Sequence, residues 1–117
     1  MKVLLIINDP PYGTEKAYNA LRLAMSLQKE HEDAEVRIFL LGDAVNSAVP
    51  NQKSPQGYYN LERMLKSVIN KGGQVKACGS CSVTRGINSI PLIEGVEINT
   101  MSQLATWVKE SDRVITF

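Results

Sequence analysis

Two sulfur atoms set the chemical question. Cys78 and Cys81 are the only cysteines in the chain, three residues apart in Cys78-Gly79-Ser80-Cys81. A thiolate is the strongest nucleophile a protein offers near neutral pH, and a neighbouring thiol gives it an internal partner for disulfide exchange. The spacing therefore points to sulfur chemistry. It is also compatible with two small buried hydrophobes, because free cysteine is among the most buried residue types. A structural zinc site wants four ligands, and this chain offers one cysteine pair and a single histidine, His31, in a charged turn far along the chain. A thioredoxin-type oxidoreductase places its pair after an early strand, at the start of a long helix. Here the pair comes late, and Gly86 and Pro91 interrupt the segment C-terminal to it. No metal and no organic cofactor is expected.

Few other residues compete for a chemical role. Arg85, four residues past Cys81, adds positive charge near the pair or simply lies on the surface. Asn8, Asp9, Asp43 and Asn46 fall near strand ends, where turn-forming side chains are common and where a pocket would also lie. Tyr12, Tyr58 and Tyr59 read as edge or interface residues. The loop after the first strand has neither G-x-G-x-x-G nor a phosphate-binding lysine–threonine pair, so a nucleotide site has little support. No Ser/His/Asp arrangement and no pair of acids stands out.

The elements that must position these groups alternate in type. Val3–Ile7 is an unbroken apolar run suited to a strand buried on both faces. Asn8–Gly13 is the next loop, and Thr14 is placed to cap a helix with Ala17, Ala20, Leu21, Ala24 and Leu27 on one face. Val36–Leu41 is a second strand, Ala44–Val49 a short helix or turn, and Pro50–Gly57 an exposed loop. Tyr58–Asn70 reads as a second long helix stopped by Lys71-Gly72-Gly73. Gln74–Cys78 is a third strand, expected to be central, and Gly79–Gly86 a loop. A short helix turning into a loop is expected over Ile87–Ile93, then a fourth strand at Val96–Ile98. Thr100 opens a helix burying Leu104, Trp107 and Val108, and Arg113–Phe117 is the last strand. Strands alternating with helices predict one α/β domain over residues 1–117, a three-layer α/β/α sandwich with a mainly parallel sheet of about five strands. Ligands of such sheets bind outside the carboxyl ends of the strands, which is where Cys78 falls.

Bulk properties narrow the class. With 117 residues, 44% hydrophobic and 21% charged, the chain can build a core without staples. A net charge of +1, with basic residues scattered, argues against nucleic-acid binding. No apolar run approaches the ~20 residues of a membrane helix, and the N-terminal run is too short for a signal peptide. A cytoplasmic protein with mainly reduced thiols is expected.

The chain resembles the DsrE/DsrF-like family over essentially its full length, and most closely the small single-domain members of the YchN type. The likeness is carried by Pro11-Tyr12-Gly13, Leu21-Arg22-Leu23-Ala24, Phe39-Leu40 with Asp43-Ala44-Val45, and Gly57-Tyr58. It continues in Cys78-x-x-Cys81, Arg85-Gly86-Ile87 and Pro91-Leu92-Ile93-Glu94-Gly95-Val96-Glu97-Ile98. The resemblance implies an α/β/α fold and a homo- or hetero-oligomer, often a hexamer. It also implies, for sulfur-relay members, a persulfide on a cysteine that Cys78 matches, with donor and acceptor proteins as partners. Cys81 has a counterpart in the YchN-type branch but not throughout the relay branch. A vicinal thiol can attack a persulfide, releasing sulfide and leaving a disulfide, so two readings stay open. One is a sulfur carrier or sulfurtransferase acting through Cys78, with Cys81 beside it and Asn8, Tyr12 and Arg85 in support. The other is a non-enzymatic oligomeric module that binds a small ligand or a protein. Tyr12, Tyr58, Tyr59, Met64 and Ile90–Ile93 form the apolar set on which self-association is expected.

Overall fold

A computed structural model describes residues 1–117. Five parallel strands, β1 (Lys2–Ile7), β2 (Glu35–Leu40), β3 (Gln74–Cys78), β4 (Val96–Asn99) and β5 (Arg113–Thr116), form one sheet in the order β4-β3-β2-β1-β5. The reversal of strand order between β1 and β5 is the switch point of a doubly wound sheet. Helices α1 (Lys16–Glu30) and α2 (Leu61–Asn70) pack side by side on one face, and α4 (Met101–Glu110) packs on the other. The three-layer α/β/α architecture with five strands is as expected. The strand bearing Cys78 is internal, but β2 holds the centre, not β3.

The core follows from the period-two alternation of the strands and the apolar stripes of the helices. Leu5, Ile38 and Val75 stand in register across β1, β2 and β3, and all are buried. Their neighbours Ile6, Phe39 and Lys76 form the parallel row on the other face. There Trp107 meets Phe39 edge-on with ring centres 6.2 Å apart, while Arg37 and Lys76 lie over the indole at 5.3 and 4.4 Å. Cationic stems thus cover aromatic surface while Arg37 pairs with Glu110 at 2.9 Å.

Five expectations need correction. Thr14 is not the N-cap of α1, a place Glu15 takes without a side-chain cap; the Thr14 hydroxyl donates to Asp9 and accepts the Lys16 N–H only at 3.4 Å. Tyr58 and Tyr59 precede α2, because the Asn60 side chain accepts the Arg63 N–H and so fixes the helix start at Leu61. Residues 79–84 are helical (α3, Gly79–Thr84), although their serines, threonine and glycine read as a loop. Residues 87–93 form no helix: Pro91 intervenes and Ile93 is drawn into the core, its N–H donating to Ala48 O. Val108 is 42% exposed, on the outer side of α4. The expected turn after β2 is a 3₁₀ helix over Gly42–Ala48, and Thr100 caps α4 as expected, accepting the Gln103 N–H. No helix is long and apolar enough to cross a membrane.

Candidate functional site

The cysteine pair sits where β3 gives way to α3. Cys78 is the last strand residue and the N-cap of the helix, and its Sγ accepts the Cys81 N–H at 3.2 Å, as a serine or aspartate oxygen does at other helix starts. Ser80 Oγ lies 3.4 Å from the same sulfur. The turn is reinforced from inside, since the fully buried Ser82 donates its hydroxyl to Cys78 O at 2.8 Å. Gly79 lets β4 pass close by: a Cβ would sit a tight 3.3 Å from both Asn99 O and Ile98 Cγ2. The two cysteines are joined as a disulfide, with Cα atoms 5.3 Å apart. The short helical turn holds both sulfurs within bonding reach.

A second loop completes the site. After β2 the chain turns at Gly42, whose φ of +54° favours glycine, and its N–H donates to Cys81 Sγ at 3.3 Å. Asn8 O, at the end of β1, lies 3.6 Å from where a Cβ on Gly42 would be. The ends of β2 and β3 thus meet at the disulfide, with the end of β1 beside the Gly42 turn. Each sulfur receives one backbone N–H, and such donors favour a thiolate over a thiol. Cys78 is 7% exposed in this oxidised form, and Cys81 is half-buried.

The supporting residues divide. Arg85 belongs to the site's frame: its Nη1 donates to Cys81 O at 3.1 Å, and its Nε and Nη2 reach Asp43 Oδ1 at 2.9 and 2.8 Å. Asp43 therefore accompanies the charge that Arg85 brings. The pair clasps α3 to the 3₁₀ helix. Asn8 ties β1 to the chain end, its backbone N–H and its Nδ2 both donating to Phe117 O.

Tyr12 is engaged elsewhere. Its hydroxyl donates to Gln52 Oε1 at 2.7 Å and accepts the Leu61 N–H at 3.1 Å. Gln52 also donates to Ser47 O and Val49 O, and its own N–H goes to Glu62 Oε1. Lys66 holds the Glu62 carboxyl below its ordinary pKa, aided by the Gln52 N–H and opposed by burial. The loop read as simply exposed is pinned by this network. Above it the four tyrosines stack: Tyr59 lies 4.1 Å from Tyr18, 4.4 Å from Tyr58 and 5.7 Å from Tyr12. The neighbouring Tyr58 hydroxyl, with burial adding to it, pushes the Tyr59 phenol up to about 12.

Sequence reasoning passed over the Gly42 N–H, the Asp43–Arg85 clasp and the Gln52 hub. A glycine and an aspartate directly after a strand were the available signal for the first two. A glutamine in a polar loop carries none. No three or more of His, Cys, Asp and Glu gather as a metal site would require, and His31 is exposed at the end of α1.

Comparison with known proteins agrees with this architecture. The YchN protein of Escherichia coli K12 is 40% identical over 116 residues, covering 99% of this chain and 98% of its own. An uncharacterized protein of Methanocaldococcus jannaschii is 44% identical over 117 residues, the full length of both chains. The crystal structure of the E. coli ychN protein superposes with a TM-score of 0.95 over 99% of this chain and 98% of its own. A protein of unknown function from Methanobacterium thermoautotrophicum shares the fold, with a TM-score of 0.80 at 14% identity over 99% of this chain and 98% of its own. The pattern of the DsrE/DsrF-like family matches residues 1–117. This chain belongs to the DsrE/DsrF-like family.

Proposed function

We propose that the protein is an intracellular sulfur carrier in which Cys78, once reduced, holds sulfur as a persulfide and passes it to a partner's thiol. The observation that carries this reading is the Cys78 sulfur itself, at the carboxyl end of a parallel strand, accepting the Cys81 N–H with Ser80 Oγ beside it. Those donors favour the thiolate, which takes up sulfur from a persulfide donor and releases the donor's thiol. A negatively charged persulfide would find the same donors. Membership of a family related to sulfur-relay proteins supports the reading. Reduction comes first, because the disulfide leaves no thiolate to load. The test is intact mass after the reduced protein meets a persulfide donor. Addition of about 32 Da, one sulfur, is expected on Cys81→Ser and not on Cys78→Ser. No addition on any variant would contradict the carrier.

The tyrosine stack favours a second reading, a self-associating module. Tyr58 is 52% exposed and Ile90 41% exposed, with Tyr12, Tyr59, Met64 and Leu92 half-buried. Ile93 drops out of the expected set, being 2% exposed in the core. Aromatic surface of this kind is enriched at protein interfaces, and a homo-oligomer, a hexamer by family likeness, is the form we propose. Light scattering should give a multiple of 12.9 kDa; a monomer at micromolar concentration would contradict it.

A further inference from the structure

We infer that the protein also discharges the sulfur it accepts: Cys81 resolves the Cys78 persulfide within the same chain, releasing sulfide and leaving the Cys78–Cys81 disulfide. The inference rests on the Cys78 reading above and adds a second activity, persulfide reduction, to it.

Three observations carry it. Such a step needs both sulfurs within bonding reach, and both cysteines belong to one turn, the N-cap and third residue of α3. Their Cα separation of 5.3 Å lies inside the range that disulfides need, so neither β3 nor α3 has to unfold. Cys81 also has its own donor, from a different strand's loop. The Gly42 N–H at 3.3 Å favours the Cys81 thiolate, the attacking species. A cysteine present only as packing has no need of a backbone donor brought in from 39 residues away. Finally, Cys81 is the less buried of the two, so the disulfide can be opened again by a dithiol arriving from solution.

The step balances. The Cys81 thiolate attacks Cys78 Sγ, and the bond between that Sγ and the outer sulfur breaks. Its electron pair leaves with the outer sulfur, which takes up the proton that Cys81 gave up and departs as hydrogen sulfide. The outer sulfur is reduced by two electrons, and the two cysteine sulfurs become the disulfide. Hydrogen sulfide is a stronger acid than a cysteine thiol, which makes it the better leaving group. A dithiol reductant then restores both thiols and is itself oxidised to a disulfide. An acceptor protein must attack the outer sulfur before this happens. The internal thiol competes at an effective concentration of about millimolar or above, so sulfide is the main product unless an acceptor is already docked.

The experiment mixes reduced, desalted wild type, Cys81→Ser and Cys78→Ser with glutathione persulfide, and reads free sulfide and intact mass. Transfer of the outer sulfur liberates glutathione, not sulfide, so sulfide reports the resolving step. Wild type should release about one sulfide per chain and finish as the disulfide, while Cys81→Ser holds the persulfide and releases at least about tenfold less. Wild type that keeps its persulfide as long as Cys81→Ser, with no excess sulfide, overturns the inference and leaves the carrier standing. Persulfide retained on Cys78→Ser but not on Cys81→Ser overturns the assigned roles. A glutathione adduct on Cys81→Ser with sulfide equal to wild type assigns the sulfide to direct attack on the donor, and also overturns it. If no variant takes up sulfur, the carrier reading falls, and this inference with it.

Discussion

The cysteine turn and the Tyr12–Gln52–Glu62 network both lie where strands give way to helices, and both are built from side chains able to do chemistry. They differ in what those side chains are already bonded to. Around Gln52, the Tyr12 hydroxyl, the Glu62 carboxylate and the Gln52 amide bind one another, the α2 start and the carbonyls of Ser47 and Val49. At the cysteines, the donors are backbone N–H groups from Cys81 and Gly42, fixed by the α3 turn and by the turn after β2 and not by other side chains. The first arrangement holds a loop; the second holds an atom that can react. Residue type alone does not separate them.

Substitutions should pull the two regions apart. The largest stability effect is expected from Gln52→Ala, which strips partners from the Tyr12 hydroxyl, the Glu62 N–H and two carbonyls. Urea unfolding should show a loss of about 3 kcal/mol, with sulfur loading of the folded fraction unchanged. A drop in loading at constant folded fraction would join the regions that the structure keeps apart. Tyr12→Phe removes one hydroxyl from the same network and should cost about 1–2 kcal/mol, again without touching the thiols.

Acid should weaken the network. The Glu62 carboxyl has its pKa lowered in the folded state, chiefly by Lys66, so its contribution is present above the unfolded value. It is lost as pH falls through the lower folded value. Glu62→Gln should flatten the fall in stability below about pH 4.5; a variant with the wild-type acid profile would contradict this. The smallest effect belongs to Arg85→Ala. The ion pair with Asp43 is solvent-exposed and worth at most about 1 kcal/mol, so alkylation of the reduced cysteines should slow by less than about tenfold. A larger effect would mean that Arg85 acts on the sulfur directly.

Much of the frame was legible because it depends on patterns of period and punctuation. The apolar run Val3–Ile7, the stripe Ala17–Ala20–Leu21–Ala24 and the Thr100–Gln103 cap each declare one element, and the fold class follows from their alternation. Cys78 at a strand end was legible for the same reason. The failures have a common cause as well. Helix α3 is made of Gly, Ser, Cys, Val and Thr, whose local preferences oppose a helix. It forms because Cys78 caps it, Ser82 and Thr84 bond back to the preceding carbonyls, and Arg85 anchors it to Asp43. Gly42 meets Cys81, and Gln52 meets Tyr12, only once distant strands align. No local signal announces such meetings.

The contrast between the regions rests on one property, that the Cys78 sulfur reacts in the folded protein once the disulfide is open. Its 7% exposure in the oxidised form makes this demanding. The direct measurement is peptide-mapped alkylation of the reduced, folded protein at neutral pH, against the same chain in denaturant. Cys78 should react in the folded state at least as fast as when unfolded, since the sulfur reading makes it the reactive atom at the N-terminal turn of α3, beside the Cys81 N–H. If Cys78 is protected until the protein unfolds, and Cys78→Ser lowers stability by several kcal/mol, the cysteines are core packing and the sulfur reading is wrong.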